Sequence, residues 1–335
     1  MSSWKQAVAK HQGPILRKSV WQIINSFIPY LCLWGLMYWT LQISYWLTLA
    51  LSVVTAGFMV RIFIILHDCG HGSFFRSQRA NHLLGFLSGV LTFTPFLQWR
   101  YKHALHHATS SDLDHRGTGD IWTLTVQEYI DAPRLKRFVY RLFRNPIVLF
   151  VLAPLYLFLI HQRFPSSGVG QRERRGVHWT NGAILAIAIL ASLTIGIKAY
   201  LLIQLPVTMV TGMVGLWLFY VQHQFDGVYW ERRKDWGFAK AGLEGSSFYK
   251  LPRFLQWFTG NIGFHHIHHL NPGIPNYNLE KCHGEAPIFQ QVKAITLWSS
   301  MKSMSYRLWD EQLRKLVGYS RLRDIRRESS LTSRP

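Results

Sequence analysis

Four histidines stand within five consecutive positions late in the chain: His265, His266, His268 and His269. On a helix, His265, His268 and His269 occupy positions i, i+3 and i+4, so their imidazoles share one face and can point at a common centre. Imidazole nitrogen is a good ligand for iron, zinc and copper. The spacing predicts a metal site, and a run of exposed polar residues is the less favoured interpretation because the spacing recurs upstream.

Five more histidines continue this pattern upstream, and a sixth, His223, stands apart from it. His103, His106 and His107 repeat the spacing, and His67 and His71 lie four residues apart. His223 follows a long apolar run, but it has no repeated spacing, so an ordinary interfacial histidine stays an alternative for it. Eight or nine imidazoles are too many for one tetrahedral zinc ion and suit two ions with open positions. The motifs therefore predict a two-metal centre.

The composition indicates a membrane protein. Of 335 residues, 49% are hydrophobic and only 16% are charged, and the apolar residues are concentrated in a few long runs. Lys and Arg, which give a net charge of +20, collect beside these runs and at the two ends. Such charge fixes membrane topology and contacts anionic lipid on the cytoplasmic side, and no basic recognition motif supports a nucleic-acid partner. The three cysteines form neither a C-x-x-C pair nor a disulfide framework.

Four apolar runs are predicted to cross the membrane as two helical hairpins, at residues 23–41 with 46–66 and 182–197 with 199–221. Such runs can cover roughly 30 Å of hydrocarbon at about 1.5 Å per residue. The runs at 83–97 and 146–160 are short and contain glycine or proline, so we predict interfacial or re-entrant helices there.

These elements predict an all-α integral membrane fold. Four transmembrane helices in two hairpins, with interfacial helices, carry a cytoplasmic helical cap that holds the metal centre. The predicted segments are a cytoplasmic amphipathic N-terminus (1–22), the first hairpin (23–66), a cytoplasmic and interfacial region with two histidine motifs (67–181), the second hairpin (182–221), a cytoplasmic cap with the third motif (222–320) and a disordered tail (321–335). Both termini and the active site are expected in the cytoplasm, with a bacterial inner membrane as the expected location.

The three motifs carry a resemblance to a known family. His67-Asp-Cys-Gly-His71-Gly-Ser, His103-Ala-Leu-His-His107 and His265-His-Ile-His-His269, in this order and after hairpins, resemble the integral-membrane fatty acid desaturases over residues 51–279. With three residues between its histidines, the first motif is more similar to the delta-12 (omega-6) and omega-3 acyl-lipid enzymes than to the acyl-CoA delta-9 enzymes, whose first motif is one residue longer. The resemblance implies an oxidoreductase, an acyl-lipid desaturase of the delta-12/omega-6 type.

The resemblance also implies the cofactor and its ligands. The family uses a non-haem di-iron centre, dioxygen and two electrons to remove two hydrogens from an acyl chain. The implied iron ligands are His67, His71, His103, His106, His107, His265, His268 and His269, with His223 as the extra ligand before the third motif. Some relatives carry an asparagine four residues before that extra histidine to hold a water on iron, whereas this chain has Phe219, which puts the water ligand in doubt.

Several other residues are candidates to orient the ligand imidazoles. His266 is expected to be structural, and no catalytic residue is predicted beyond the metal ligands. Asp68, inside the first motif, is the predicted acceptor for a ligand imidazole N–H. Other local candidates are Asp112, Asp114, Asp120, Asn261 and Asn271.

Partners and alternatives complete the hypothesis. The sequence contains no haem, flavin or iron–sulfur motif, so an external electron donor is implied, a ferredoxin or a cytochrome-type carrier with its reductase. The substrate is predicted to be an acyl lipid in the membrane. A di-iron hydroxylase or ketolase that acts on a lipid or hydrocarbon is the nearest alternative, since the same oxidant can insert oxygen. A zinc-dependent membrane hydrolase and a metal transporter are two further alternatives. A transporter's histidines should lie within its spans, whereas these lie at the ends of the predicted spans.

Overall fold

The computed structural model describes residues 3–117 and 120–332 and is mostly helical. In chain order the helices are α1 (Ser3–Ala9), α2 (Leu16–Thr40), α3 (Tyr45–His71), α4 (Gln78–Leu91), α5 (Phe96–Thr109), α6 (Val126–Asp131), α7 (Arg134–Phe143), α8 (Ala153–Leu159), α9 (Gln171–Thr194), α10 (Ile197–His223), α11 (Phe238–Glu244), α12 (Arg253–Phe258), α13 (His265–Leu270), α14 (Asn276–Glu285), α15 (Pro287–Gln290), α16 (Leu297–Ser300) and α17 (Arg321–Thr332). The strands are β1 (Leu124–Thr125), β2 (Phe248–Tyr249), β3 (Ala294–Ile295), β4 (Leu308–Asp310) and β5 (Lys315–Val317).

Helices α2, α3, α9 and α10 are long and apolar enough to cross a membrane. They match the four predicted spans in number, but their ends differ from the predicted boundaries. Helix α2 begins at Leu16 and α9 at Gln171, well before the predicted spans, so Arg172, Arg174 and Arg175 belong to the first turns of a helix. A helix continues past its apolar stretch because backbone hydrogen bonding and the good helix propensity of arginine do not depend on burial in lipid.

The two shorter apolar regions are bent. Helices α4 and α5 meet at 102° across a break of a few residues, and this break falls within the segment 83–97 that we predict to be interfacial or re-entrant. The region predicted at 146–160 forms a π-helical turn (Val148–Leu152), α8 and a 3₁₀ turn (His161–Arg163), and lies at 66° to α7. By length and composition, each bent pair could also form one broken span.

The described residues are mostly helical, as the all-α prediction expects, but five short strands among them form two small sheets that it did not include. Strand β1 pairs parallel with β4 and β4 antiparallel with β5, and β2 pairs parallel with β3. Each strand has only two or three residues, too few for an alternating hydrophobic pattern to predict it. The β1–β4 pairing connects a segment after the second histidine motif to the C-terminal part of the chain.

The region predicted as a disordered tail differs as well. Residues Arg321–Thr332 form α17, and residues 333–335 lie outside the described part of the chain. Arg321 pairs with Asp310 at 2.8 Å and with Glu328 at 2.8 Å, and Leu322 packs against the cluster around Tyr140. These tertiary contacts stabilise a segment whose composition alone favours disorder.

Helices α3 and α10 form the centre of the molecule and pack against each other. Val60 and Ile64 of α3 lie in one buried cluster with Leu218 and Val221 of α10. Gln224 directly follows α10. The buried Arg144 donates hydrogen bonds to Gln224 Oε1 at 2.7 Å and to the Tyr306 carbonyl at 2.9 Å. The end of α10 is thereby tied to the C-terminal part of the chain, which fixes where His223 lies.

Candidate metal centre

Nine histidines form two groups, and within each group the ligand atoms lie within 4.8 Å of one another. Helix α3 contributes two of them, α5 and α13 contribute three each, and α10 contributes one. The first group is His67, His71, His103, His107 and His268. The second group is His106, His223, His265 and His269. The structure thus brings together all nine histidines that the sequence singles out.

The sequence predicts that the three histidines of each triplet point at one common centre. In the structure, each triplet instead contributes to both groups. In α5, His103 and His107 join the first group while His106 joins the second. In α13, His265 and His269 join the second group while His268 joins the first. Residues four apart on a helix are separated by only about 40° around its axis, whereas the residue at i+3 lies about 60° to the other side. Each triplet therefore faces both groups at once.

Short distances between ring nitrogens show that the residues fit metal ions. In the first group, His107 Nε2 lies 3.1 Å from His103 Nε2 and 3.0 Å from His268 Nε2. In the second, His265 Nε2 lies 2.9 Å from His223 Nε2 and 3.1 Å from His269 Nε2. Ligands at right angles around one ion, with metal–nitrogen bonds of about 2.1 Å, are about 3.0 Å apart.

Hydrogen bonding cannot account for these distances. In a neutral imidazole, each ring nitrogen is either one donor or one acceptor. A nitrogen with two close nitrogen neighbours therefore cannot form a hydrogen bond with both of them. Among the described residues, His67 Nε2 and His71 Nε2 are buried and have no hydrogen-bond partner. Burial also holds the pKa of His265, His268 and His269 well below the ordinary value, which keeps them in the neutral form that binds metal.

Two carboxylates accept hydrogen bonds from the other ring nitrogen of these histidines. Asp120 Oδ1 lies 2.9 Å from His106 Nδ1, and Asp68 Oδ1 lies 3.2 Å from His67 Nδ1. An Nδ1–H that donates to a carboxylate leaves the Nε2 lone pair free for a metal and fixes the orientation of the ring. Asp68 therefore lies where the sequence predicted, and Asp120, only one of several local candidates, makes the shorter contact.

Asn276 is a supporting residue that sequence reasoning missed. Its backbone N–H and its side-chain Nδ2 both donate to Asp68 Oδ2, at 2.7 Å and 2.8 Å, and Gln22 Nε2 donates to its Oδ1 at 3.1 Å. Asp68, Asn276 and Gln22 are all buried. A polar residue shortly after the third motif was the available signal, but its partner lies 208 residues away.

The other two carboxylate candidates pair with basic side chains. Asp112 pairs with His115 and Arg233, and Asp114 pairs with Arg232. His266 belongs to neither group; its Nε2 lies 3.3 Å from His283 Nδ1, a residue to which the sequence assigned no role. The structural role expected for His266 agrees with this position.

Phe219 lies against the second group. Its ring centroid is 5.2 Å from that of His106 and 5.1 Å from that of His223. A phenylalanine ring provides neither donor nor acceptor for a water molecule. The apolar ring instead forms part of the wall of the neighbouring cavity.

A cavity of about 450 Å³ adjoins the histidines, between α3 and α10. Its walls are mainly apolar, and it reaches His67, His103, His106 and His265. Helix α3 lines it with Met59, Val60, Phe63 and Ile64, and α10 lines it with Thr208, Thr211, Gly212, Gly215, Leu216, Leu218 and Phe219. Its size falls within the range of small-molecule sites, roughly 300–1,000 Å³. An elongated apolar ligand in this cavity would lie beside both histidine groups.

Comparison with known proteins gives the family. The fatty acid desaturase family model matches residues 43–296. A fatty acid desaturase of Bacillus subtilis (strain 168) is 51% identical over 318 residues, which cover 95% of this chain and 90% of that protein. An sn-1 oleoyl-lipid 12-desaturase of Synechocystis sp. is 28% identical over 226 residues, covering 66% of this chain and 63% of that protein.

A further relative is the sn-1 acyl-lipid omega-3 desaturase (ferredoxin) of Synechocystis sp., 29% identical over 245 residues that cover 66% of this chain and 62% of that protein. The family model thus covers both flanks of the cavity and all three histidine motifs, and the Bacillus protein matches nearly the whole chain. This chain is an oxidoreductase that belongs to the fatty acid desaturase family.

Proposed function

We propose that this protein is an oxygen-dependent acyl-lipid desaturase with a di-iron centre held by the nine histidines. The observation that carries the proposal is the position of two groups of buried or partly buried imidazoles beside one apolar cavity. When bound, the two irons would supply the dioxygen chemistry that takes one hydrogen from each of two neighbouring methylenes. Two electrons from a donor and the two hydrogens removed, with two protons, reduce dioxygen to two water molecules.

The residues of the chain perform the other tasks. Asp68 and Asp120 orient the rings of His67 and His106, so that the Nε2 atoms face inward. The apolar cavity walls bind the acyl chain by hydrophobic burial, keep water from the reacting carbons and hold the chain beside the histidines. His223 completes the second group from the end of α10, which supports its assignment as a ligand.

The substrate and the electron donor are proposed from the relatives. The named relatives act on acyl lipids, at the 12 or the omega-3 position, and the name of one includes ferredoxin as donor. We propose an acyl lipid as substrate and a ferredoxin or cytochrome-type carrier with its reductase as the source of electrons. The delta-12 position stays a prediction from the first histidine motif.

We further propose that the histidine-bearing end of the helices faces the cytoplasm. The starts of α2 and α9 lie at this end, because Lys18 Nζ donates to Asn278 Oδ1 at 3.1 Å and Arg172 lies 3.3 Å from His82. Basic residues gather there: Lys5, Lys10, Arg17, Lys18, Arg172, Arg174 and Arg175. At the opposite end, the turn at 41–44 carries no charge and the turn at 195–196 is followed by a single Lys198.

This distribution satisfies the positive-inside rule only if the histidines are cytoplasmic. The same arrangement places both termini in the cytoplasm and makes residues 224–332 a cytoplasmic cap that carries the third motif. A bacterial inner membrane is the proposed location; the Bacillus and Synechocystis relatives are bacterial proteins.

Cysteine labelling tests the orientation. In a background that lacks Cys32, the variant Gln42→Cys should react with a membrane-impermeant maleimide in spheroplasts, because Gln42 is exposed at the opposite end. The variant Lys234→Cys, exposed in the proposed cap, should react only after the membrane is permeabilised. The reverse pattern would exclude a cytoplasmic cap.

Product analysis tests the reaction. Expression with a suitable electron donor should produce membrane acyl chains that are lighter by two hydrogens than their precursors, measured by mass spectrometry of extracted lipid. Fragmentation of a derivative locates the double bond, which is expected at the delta-12 position. A product heavier by one oxygen would identify a hydroxylase, and a double bond elsewhere would reject only the position.

Removal of single histidines tests the metal ligands. His268→Ala in the first group and His106→Ala in the second should each lower the iron content of the purified protein and reduce product formation by about 100-fold or more. His178→Ala, an exposed histidine of α9, serves as the matched control and should keep both. Full iron content and activity in either of the first two variants would remove that residue from the ligand set.

Substitution of the two carboxylates tests their support of the ligands. Asp120→Asn and Asp68→Asn preserve the shape of each side chain but remove the charge that favours a ligand with a protonated Nδ1. We expect iron affinity to fall by about 10- to 100-fold, measured as iron retention against a chelator. Asp235→Asn, at an exposed site, is the control. Equal iron retention in Asp120→Asn and Asp235→Asn would contradict the proposed role.

A further inference from the structure

Gly215 occupies a distinctive place in the cavity wall. It lies inside α10, and a Cβ atom added there would meet no heavy atom within 4 Å. Because Gly215 lines the cavity, a side chain at this position would extend into free space beside the site. The inference drawn below rests on the proposed function, since it takes the cavity as the acyl site.

The neighbouring Gly212 shows how a glycine required for packing differs. A Cβ atom at Gly212 would lie 2.8 Å from Pro154 Cβ and 3.3 Å from the Phe158 ring, so close contact with α8 excludes a side chain. No such contact constrains Gly215. Glycine is less favourable than alanine in a helix interior, so helix stability does not explain it either. The absence of a side chain at Gly215 leaves open volume in the cavity.

The position of Gly215 along α10 relates that volume to the histidines. It lies eight residues before His223, about 12 Å at 1.5 Å per residue, and one turn beyond Phe219. Thr208, also in the wall, lies about two turns further. On the other wall, α3 lines the cavity from His67 back to Met59. Gly215 therefore faces the middle of the part that extends away from the histidine groups.

The two parts of the cavity differ in polarity and exposure. Met59, Val60 and Thr208, which line the distal part, are buried. Lys102 and Gln162, half-buried, and His161, exposed, line the accessible part. The polar end of an acyl lipid remains at the accessible part because desolvation of polar groups is costly, and the methyl end enters the buried part.

We propose that Gly215 is a specificity-determining residue of the desaturase. Its missing side chain leaves room for the methyl-terminal segment of the acyl chain beyond the histidines. The length of that segment determines which pair of methylenes lies beside the two groups. A side chain at position 215 shortens the available space, so it favours shorter chains or moves the double bond toward the methyl end.

A graded series tests the proposal: Gly215→Ala, Gly215→Val and Gly215→Leu, expressed in a host with acyl chains of several lengths. The product-to-precursor ratio is measured for each chain length, with double-bond position, protein level and iron content. The ratio of long-chain to short-chain product should fall stepwise with side-chain size, by at least about tenfold for Gly215→Leu, because a pocket discriminates by this order per methylene. Gly182→Leu, exposed on α9 with the same open surroundings but outside the cavity wall, should leave the profile unchanged.

Three outcomes would overturn the inference. The first is an unchanged product profile in Gly215→Leu with normal protein and iron levels. The second is an equal loss at all chain lengths across the whole series, including Gly215→Ala, which would indicate a structural role. The third is the absence of unsaturated product from the unaltered protein, which would reject the proposed function and this inference with it. Only in the first two does the proposed function survive.

Discussion

The structure depends on nine closely placed imidazoles whose nitrogens face one another, six of them buried and three partly buried. Buried polar atoms are costly unless they have partners, and neutral ring nitrogens about 3 Å apart cannot all act as donors to one another. Cations between them would remove this cost, because each lone pair would then acquire a ligand bond. Without such cations, other contacts must hold together the four helices that carry the histidines. The packing of α3 on α10 and the ties from Arg144 to Gln224 and Tyr306 provide such contacts.

Helical geometry explains how so few elements form two groups. A triplet at i, i+3 and i+4 presents the i and i+4 rings in one direction and the i+3 ring in another. Helices α5 and α13 face each other with this pattern, so His268 completes the group of His103 and His107, while His106 completes the group of His265 and His269. Loss of either helix would affect both groups, and each metal would share its supporting scaffold with the other.

The sequence predicts what depends on local spacing and leaves open what depends on tertiary contacts. The nine histidines and the four long apolar helices follow from residue type and periodicity. Asp120 could not be preferred over Asp112 or Asp114 from sequence, because only the path of the loop after α5 decides which carboxylate reaches His106. Asn276 and Asp68 contact each other across 208 positions, beyond any local pattern. The short strands and α17 likewise form through contacts between distant segments.

The helices that carry the proposed metal ligands also form the walls of the cavity, and in the proposed function this shared use would connect metal binding to substrate geometry. His67 and His223 lie at the ends of α3 and α10, while Met59 and Gly215 line the cavity further along the same two helices. A helix is rigid and rises by a constant length per residue, so the distance from ligand to wall is fixed by residue number. Loops at the same places would let that distance vary. An enzyme that must select one pair among chemically identical methylenes needs such a fixed distance, since the methylenes differ only in how far they lie from the chain ends.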